Sequence, residues 1–298
     1  MKKGVLYGIG AYAIWGFFPL YWKLLKDVPA LQLLGHRISW SFIALVAILL
    51  ITKQWADFRS TLNKQTLLIY SAAAILIAIN WLTYVWSVNA GHIVESSLGY
   101  FINPLLSVLL GVIILHERLR PVQWIPIGIA AVGVTYLTLA YGGLLWISFT
   151  LAFSFGFYGL VKKVAPLNSL FGLTFETGIL FLPALAYLAF QEIQGTGKFL
   201  HVSIASNLFM AGAGIVTIIP LLMFASAARQ IPLTMVGILQ YITPTLQFLI
   251  GVLVYHETFD LQRWIGFGIV WVALVIFWVE NYLAHRNPVE PLPELGEG

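Results

Sequence analysis

The sequence predicts an all-α integral membrane protein in which ten transmembrane helices form two inverted five-helix repeats. Hydrophobic residues make up 60% of the 298 residues and charged residues 9%, whereas a soluble domain carries roughly 45–50% and roughly 25% of these classes. The mean hydropathy is +0.89, apolar stretches of similar length follow one another, and the two halves align at a fixed shift. A surface of this composition suits lipid tails rather than water.

Ten apolar stretches are long enough to cross a bilayer, for which a helix needs about 20 mainly apolar residues. The connections between them are short, so no sizeable soluble domain is expected. Membrane β-strands would alternate apolar and polar residues over about 10 positions, whereas these runs are continuous. Residues 287–298 are rich in Pro and Glu, which predicts a disordered cytoplasmic tail. The predicted spans are residues 5–22, 31–51, 67–88, 95–115, 122–141, 144–161, 170–190, 208–228, 234–255 and 262–282.

The distribution of positive charge predicts the orientation of these spans. Loop residues that carry positive charge favour the cytoplasm, and ten spans place both termini on one side. That side carries eleven cations, which are Lys2, Lys3, Lys53, Arg59, Lys64, Arg118, Arg120, Lys162, Lys163, Arg229 and Arg286. The other side carries four, which are Lys23, Lys26, Lys198 and Arg263. Both termini are therefore predicted to be cytoplasmic.

An internal repeat appears when the sequence is shifted by 140 residues without a gap. Thirteen of the 31 positions between 102 and 132 are identical at this shift, among them Gly111 with Gly251 and Trp124 with Trp264. Each half then has five spans, an odd number, so the second half enters the membrane inverted, as in many secondary transporters. We predict a first repeat at 1–141 and a second at 142–286. The repeat favours a transporter, and a channel or a non-transporting regulatory subunit is the alternative.

Several other functions are not expected. The chain has no Cys, which excludes disulfides, thiolate nucleophiles and iron–sulfur clusters. It has no Walker A loop or dinucleotide motif, so no cofactor and no ATP-driven pumping are predicted. Its net charge of +4 is scattered, so nucleic acid is not an expected partner. His116-Glu117 and His256-Glu257 end spans on opposite faces and lack metal-site spacing, so we interpret them as helix-end anchors. The spans contain few ionisable groups, so we do not predict an enzyme.

Ionisable residues inside spans are candidates for function because each costs at least about 2.5–3.5 kcal/mol at a helix centre. His36 and Arg37 lie in the second span, Glu95 begins the fourth and Glu176 lies in the seventh. One interpretation is that Arg37 or His36 pairs with Glu95 or Glu176 in a pocket, gate or coupling group. The other is that Arg37 and Lys23 snorkel to the interface while Glu95 favours a helix dipole. We assign His36, Glu95 and Glu176 to coupling or gating.

Polar groups near the bilayer centre are tolerated only where a neighbour or cavity water satisfies them, so they are predicted to face inward. Helix packing is the alternative role for each of them. The predicted helix kinks are Pro104, Pro220 and Pro244. The predicted substrate-binding residues are Trp15, Arg37, Asn80, Trp81, Tyr84, Tyr100, Asn103, Tyr158, Gln240 and Tyr241. Gly4 and Gly8 form a candidate helix-packing face, through which a homodimer could form.

Seven segments together resemble one bacterial family. They are 11–17 (AYAIWGF), 36–37 with 40–42, 97–104 (SLGYFINP), 111–118, 151–161 (LAFSFGFYGLV), 213–220 (AGIVTIIP) and 240–244 (QYITP). Over residues 1–285 the chain resembles the RarD group within the EamA branch of the drug/metabolite transporter superfamily. The resemblance implies the ten-helix fold of two inverted repeats. It also implies a plasma-membrane exporter or permease of small organic metabolites or drugs, and the RarD label is associated with chloramphenicol sensitivity.

Overall fold

The structure is a computed structural model that describes residues 2–141, 144–256 and 261–286, and these residues are helical apart from turns and connections. Ten helical segments are long and apolar enough to cross a membrane, with α10 and α11 together forming one of them. The predicted number of spans is confirmed, while the predicted tail at 287–298 lies outside the described residues. The helices are α1 (Lys2–Lys23), α2 (Ala30–Ile51), α3 (Trp55–Ser60), α4 (Lys64–Asn89), α5 (Ile93–Ile113), α6 (Trp124–Tyr141), α7 (Leu145–Val164), α8 (Ser169–Ile193), α9 (Ile204–Gln230), α10 (Leu233–Leu239), α11 (Ile242–Leu253) and α12 (Leu261–Arg286).

Polar residues begin several of these helices, because a helix start in an apolar setting needs partners for its free N–H groups. The Asn63 side chain accepts the Thr66 N–H at 2.9 Å at the start of α4. Asn168 accepts the Phe171 N–H at 2.8 Å at the start of α8. Each of these connections in the sequence therefore also fixes where the next span starts.

The ninth predicted span, residues 234–255, is divided into α10 and α11 at Gln240 and Tyr241. Pro244 has no N–H to donate to the Gln240 carbonyl, and that carbonyl accepts the Thr243 N–H at 3.1 Å instead. Pro244 therefore lies in the first turn of α11 and not at a kink inside a continuous helix. Pro104 and Pro220, by contrast, lie inside α5 and α9.

Residue contacts divide the chain into two compact units, and the larger one contains the described residues up to Glu117 and from Tyr141 to His256. In this unit α1 packs on α9 and α11, as α7 packs on α4 and α5. A Cβ on Gly16 would lie 2.7 Å from Leu246, and one on Gly156 would lie 2.8 Å from Leu106. Both pairs are related by the 140-residue shift. The repeat found in the sequence is thus also present in the helix packing.

We call the end of the larger unit where α1 begins the N-terminal face. The main apolar core of the larger unit includes Tyr12, Tyr158, Phe224 and Leu233, none of them more than 1% exposed. A second cluster, at the ends of α2 and α7 and the starts of α4 and α8, contains Phe58 of α3. Helix α3 was not predicted, because six residues between polar turns are too few to show a period.

Gly4 and Gly8 pack against the same chain. A Cβ on Gly4 would lie 2.7 Å from Ile231 Cγ2, and one on Gly8 would lie 2.7 Å from Leu239 Cδ1. The helix-packing interpretation of these glycines is confirmed. A homodimer stays a prediction, and it would have to use a different surface, because both glycines are buried.

The smaller unit contains α6 and the described part of α12. A Cβ on Gly266 would clash with the Leu137 side chain, so the two helices approach closely there. The Arg120 Nε lies 2.9 Å from Glu280 Oε1, and Arg120 Nη2 donates to Asn281 Oδ1 at 2.7 Å. These polar contacts connect the segment before α6 to the C-terminal half of α12.

Candidate functional site

Arg37 is enclosed by side chains from three other helices. Its Nε donates to Thr217 Oγ1 of α9 at 3.1 Å. Its guanidinium carbon lies 4.8 Å from the Trp22 ring centroid of α1 and 5.0 Å from that of Trp81 of α4. Both distances are within the range of about 6 Å for a cation–π interaction. Arg37 therefore points toward other helices of the unit, and snorkelling to the interface stays the alternative interpretation.

Close packing of α2 on α9 fixes this position. A Cβ on Gly214 would lie 2.5 Å from the Trp40 carbonyl carbon, so only glycine allows the two backbones to approach this closely. The Ser41 hydroxyl donates to the Gly214 carbonyl at 3.2 Å. Since Gly214 lies three residues before Thr217, the same contact places the Thr217 hydroxyl opposite Arg37.

Glu176 forms an ion pair that the sequence did not indicate. Lys162 Nζ lies 2.6 Å from Glu176 Oε1, and the Tyr158 hydroxyl donates to Glu176 Oε2 at 2.9 Å. Lys162 is 3% exposed and Glu176 is 1% exposed. The predicted pairing of Glu176 with Arg37 or His36 is thus wrong, because α7 supplies the cation.

The apolar stretch of the sixth span is predicted to end at residue 161, which leaves Lys162 in a loop. The helix continues to Val164. Lys162 follows Tyr158 by one helical turn, so both side chains lie on one face of α7. That spacing was the available signal for a polar pair directed at Glu176.

The other two predicted coupling residues, Glu95 and His36, make contacts that do not involve Arg37. Glu95 Oε1 is 3.5 Å from His92 Nδ1, three residues earlier in the chain. The His36 ring packs against Phe199 with ring centroids 5.1 Å apart. His36 also lines a cavity of about 440 Å³ between α2, α8 and the segment before α9. The predicted pairing of Arg37 or His36 with Glu95 is therefore not observed among the described residues.

The predicted amide residues differ in how far the chain satisfies them. Asn80 donates to the Leu151 carbonyl at 2.9 Å and to Ser154 Oγ at 3.1 Å, which joins α4 to α7. Asn103 accepts a long 3.4 Å hydrogen bond from Ser107. Gln240, at the break between α10 and α11, is 5% exposed. Asn80 thus has the packing role that was its alternative interpretation.

The predicted aromatic residues take part in several separate ring contacts. Trp15 packs with Tyr12, Phe155 and Phe224 at centroid distances of 5.5, 5.8 and 5.7 Å. Tyr84 and Tyr100 form an edge-to-face pair at 6.0 Å. The Tyr241 hydroxyl donates to the Phe101 carbonyl at 3.4 Å. Among the described residues, the buried Tyr12 hydroxyl has no hydrogen-bond partner.

Glu117 binds the start of α10. Its two carboxylate oxygens accept the Leu233 N–H at 2.6 Å and the Thr234 N–H at 2.9 Å. A carboxylate at this position stabilises the free N–H groups and the positive end of the helix dipole. Lys163 Nζ donates to the Ile231 carbonyl at 2.6 Å. The predicted helix-end anchor is therefore a connection between α5 and α10, and Glu257 lies outside the described residues.

The described residues of the site can be compared with the groups that chemistry or binding would need. In the part of the chain that the structure describes, no three His, Asp or Glu side chains gather in a group that could hold a metal. The described residues present the partly buried guanidinium of Arg37, hydroxyls, amides and aromatic faces. Such groups can orient a small organic solute within an apolar cavity.

Comparisons with known proteins agree with this architecture. A model of the EamA-like transporter family matches the chain twice, over residues 2–139 and 142–279. Protein RarD of Streptomyces exfoliatus is 46% identical over 288 residues, which cover 96% of this chain and 91% of that protein. Uncharacterized transporter YojE of Bacillus subtilis is 46% identical over 281 residues, which cover 93% of each chain. Protein RarD of Escherichia coli is 40% identical over 287 residues, which cover 96% and 97%.

A solved crystal structure shares the fold with a TM-score of 0.69 at 16% identity, and the match covers 93% of this chain and 98% of that one. The family model covers both halves of this chain, and the matches to the RarD proteins span nearly the whole length of this chain. This multi-pass membrane protein therefore belongs to the EamA-like transporter family.

Proposed function

We propose that the chain is a secondary carrier, an exporter or permease, that moves small organic solutes across the bacterial plasma membrane by alternating access. The observation that supports this most is the symmetric packing of Gly16 on Leu246 and Gly156 on Leu106. Two halves that pack alike can exchange their arrangement, so that a central site opens to each side in turn. The excess of cations on the side of the termini supports a cytoplasmic location for both of them.

The substrate site in this proposal lies around Arg37, with Trp81 and the Tyr84–Tyr100 pair as its walls. Buried polar groups in lipid need a neighbour or water. Among the described residues Gln240 makes no side-chain hydrogen bond and Asn103 makes only the long one to Ser107. Their amides are therefore available to a solute or to cavity water. Trp15, Tyr158 and Tyr241 complete the predicted set on the apolar side.

The structure supports a state closed at the N-terminal face. Lys162, Glu176 and Tyr158 are almost fully buried there, and Glu117 ties α5 to α10. Arg37 and Tyr100 are only partly buried, and Tyr84 is 37% exposed. Opening the N-terminal face would require the Lys162–Glu176 pair to separate or to move together. We propose gating roles for Glu176 on this basis, and for His36 and Glu95 at the opposite end.

Flux in proteoliposomes tests the proposal. Purified protein is reconstituted and loaded with labelled amino acids, small carboxylic acids or chloramphenicol, with and without a proton gradient. A carrier gives saturable flux that unlabelled solute on the opposite side accelerates. Flux that rises linearly with concentration and single-channel currents would favour the channel alternative. Flux equal to that of protein-free liposomes for every solute would contradict a transport function for these solutes.

A further inference from the structure

We propose that Arg37 binds the carboxylate of the transported solute, so that the substrate class is small organic acids or amino acids. This inference rests on the proposed function, because it assigns the chemistry of the same site. It goes beyond a general solute carrier by requiring one negatively charged planar group on the substrate.

The first argument is charge balance. Within the described residues no carboxylate oxygen lies within 4.0 Å of the Arg37 guanidinium, although Glu176 provides such a partner for Lys162. Indole faces and one hydroxyl stabilise the guanidinium but do not neutralise it. An ionised group in a span is costly, and such groups otherwise pair with an opposite charge. A substrate anion would supply the missing charge.

The second argument is the orientation of the donors. Thr217 occupies the Nε donor at 3.1 Å, and the rings of Trp22 and Trp81 lie against the guanidinium. These three contacts fix the plane of the group while the N–H groups of both Nη atoms stay free among the described residues. A guanidinium held in this way binds a planar carboxylate through two parallel hydrogen bonds.

The third argument is the surroundings of this donor edge. Tyr84 follows Trp81, which lies against Arg37, by one turn of α4, and Tyr84 packs edge to face with Tyr100. Their hydroxyls can donate to the same anion, while their rings and Trp81 offer apolar contact. This combination suits a carboxylate attached to an apolar group better than it suits a fully hydrated inorganic anion.

Binding of matched acid and amide pairs tests the inference without requiring transport. The probes are benzoate and benzamide, phenylacetate and phenylacetamide, hexanoate and hexanamide, leucine and leucinamide, with inorganic phosphate as a separate anion. The rise in melting temperature of the detergent-solubilised full chain with probe concentration gives each Kd. The variants are Arg37→Gln, Arg37→Lys, Thr217→Val and, as a control that removes an exposed charge on α3, Arg59→Gln.

We expect at least one acid to bind more tightly than its amide in the unmodified chain and in Arg59→Gln. In Arg37→Gln the charged hydrogen bonds are lost, so the Kd of that acid rises by about 10- to 100-fold. The Kd of its amide stays unchanged. Thr217→Val weakens binding of the acid several-fold, because the Arg37 guanidinium is no longer held in its orientation by the hydrogen bond to Thr217. If Arg37→Gln does not fold, Arg37→Lys serves as the test instead. Lysine keeps the charge but lacks the planar pair of N–H donors, so binding of the acid should weaken in this variant too.

Three outcomes overturn the inference. In the first, acid and amide raise the melting temperature equally, or not at all, in every pair. In the second, the preference for the acid persists in Arg37→Gln. In the third, phosphate binds more tightly than every acid. The proteoliposome assay separates this failure from failure of the carrier proposal. Saturable flux of a neutral solute at an unchanged rate in Arg37→Gln would keep the carrier and discard the anion site. Acid binding that depends on Arg37, without flux of any solute, would keep the anion site and discard the carrier.

Discussion

Residues 22 and 36 of the first half correspond, at the 140-residue shift, to residues 162 and 176 of the second, but the two pairs have different chemistry. In the second half Lys162 and Glu176 form an ion pair at 2.6 Å. In the first half Trp22 packs on Arg37, and His36 packs on Phe199. Lys162 in the second half is thus paired with a carboxylate of the chain. Arg37 in the first half contacts two indole rings and one hydroxyl.

This difference shows what each half of a duplicated fold retains. The packing contacts are conserved between the halves, as Gly16 with Leu246 and Gly156 with Leu106 show, because they define the fold. The polar side chains differ, as expected if the Lys162–Glu176 pair closes the N-terminal face and the residues around Arg37 surround the substrate site, as we propose. Stability and function should therefore depend differently on the two cations.

The largest effect is expected from Glu176→Met. It leaves Lys162 buried without its partner, and breaking a buried ion pair in this way costs about 3–5 kcal/mol of unfolding free energy. The double variant Lys162→Met/Glu176→Met should recover most of the loss, because no charge then remains buried. Unfolding in mixed SDS micelles measures both. A double variant as unstable as Glu176→Met would show that the pair is not what stabilises this region.

The next largest effect is expected from Gly214→Ala. A Cβ there would lie 2.5 Å from backbone carbon of Trp40, and overpacking of this kind costs about 1–3 kcal/mol. It should also weaken acid binding, because α2 moves away from Thr217. The matched control is Gly128→Ala on α6, where the added Cβ meets no atom within 4 Å. Equal stability of the two alanine variants would contradict the close approach of α2 to α9.

A smaller loss is expected from Glu117→Gln. The amide keeps one acceptor for the Leu233 and Thr234 N–H groups but loses the charge, and weakening such a cap costs about 1–2 kcal/mol. The control is Glu192→Gln, since Glu192 is 55% exposed and pairs with His201. The unfolding free energy of Glu117→Gln should fall below that of the control, and identical values would argue against a tie between α5 and α10.

The smallest effects should distinguish Lys23 from Lys163, which also correspond at the 140-residue shift. Lys163 Nζ donates to the Ile231 carbonyl at 2.6 Å, whereas the exposed Lys23 lies 3.7 Å from the Tyr255 ring centroid. Lys163→Gln should cost about 1 kcal/mol more than Lys23→Gln, because a charged hydrogen bond exceeds an exposed cation–π contact. The same unfolding titration compares them, and a reversed order would contradict the assigned contacts.

Much of the fold could be predicted from the sequence, because composition and apolar length determine where spans lie. The repeat aligned Leu106 with Leu246 and Gly16 with Gly156, but it did not show that these leucines and glycines pack on each other. The division between α10 and α11 was not predicted, although Pro244 was noted, because hydropathy does not change across Gln240 and Tyr241.

The site was less predictable, because the partner of a buried charge depends on how helices pack. Arg37 and Trp81 were both identified, but Trp22 was not, since a Trp near the end of a span is typical of the interface. Lys162 was missed as the partner of Glu176 because a basic residue at a span end ordinarily indicates topology. Pairing across helices is a tertiary property that neither periodicity nor spacing contains.

The most direct test of the difference between the two cations is the unfolding free energy of Arg37→Met beside that of Glu176→Met in the same micelles without added solute. If Arg37 has no internal carboxylate partner, removing its charge leaves no buried ion behind. Lost cation–π contacts and relieved desolvation then nearly cancel, so Arg37→Met should stay within about 1 kcal/mol of the unmodified chain. A loss as large as that of Glu176→Met would contradict the account, because it would show that the charge of Arg37 is already neutralised within the fold.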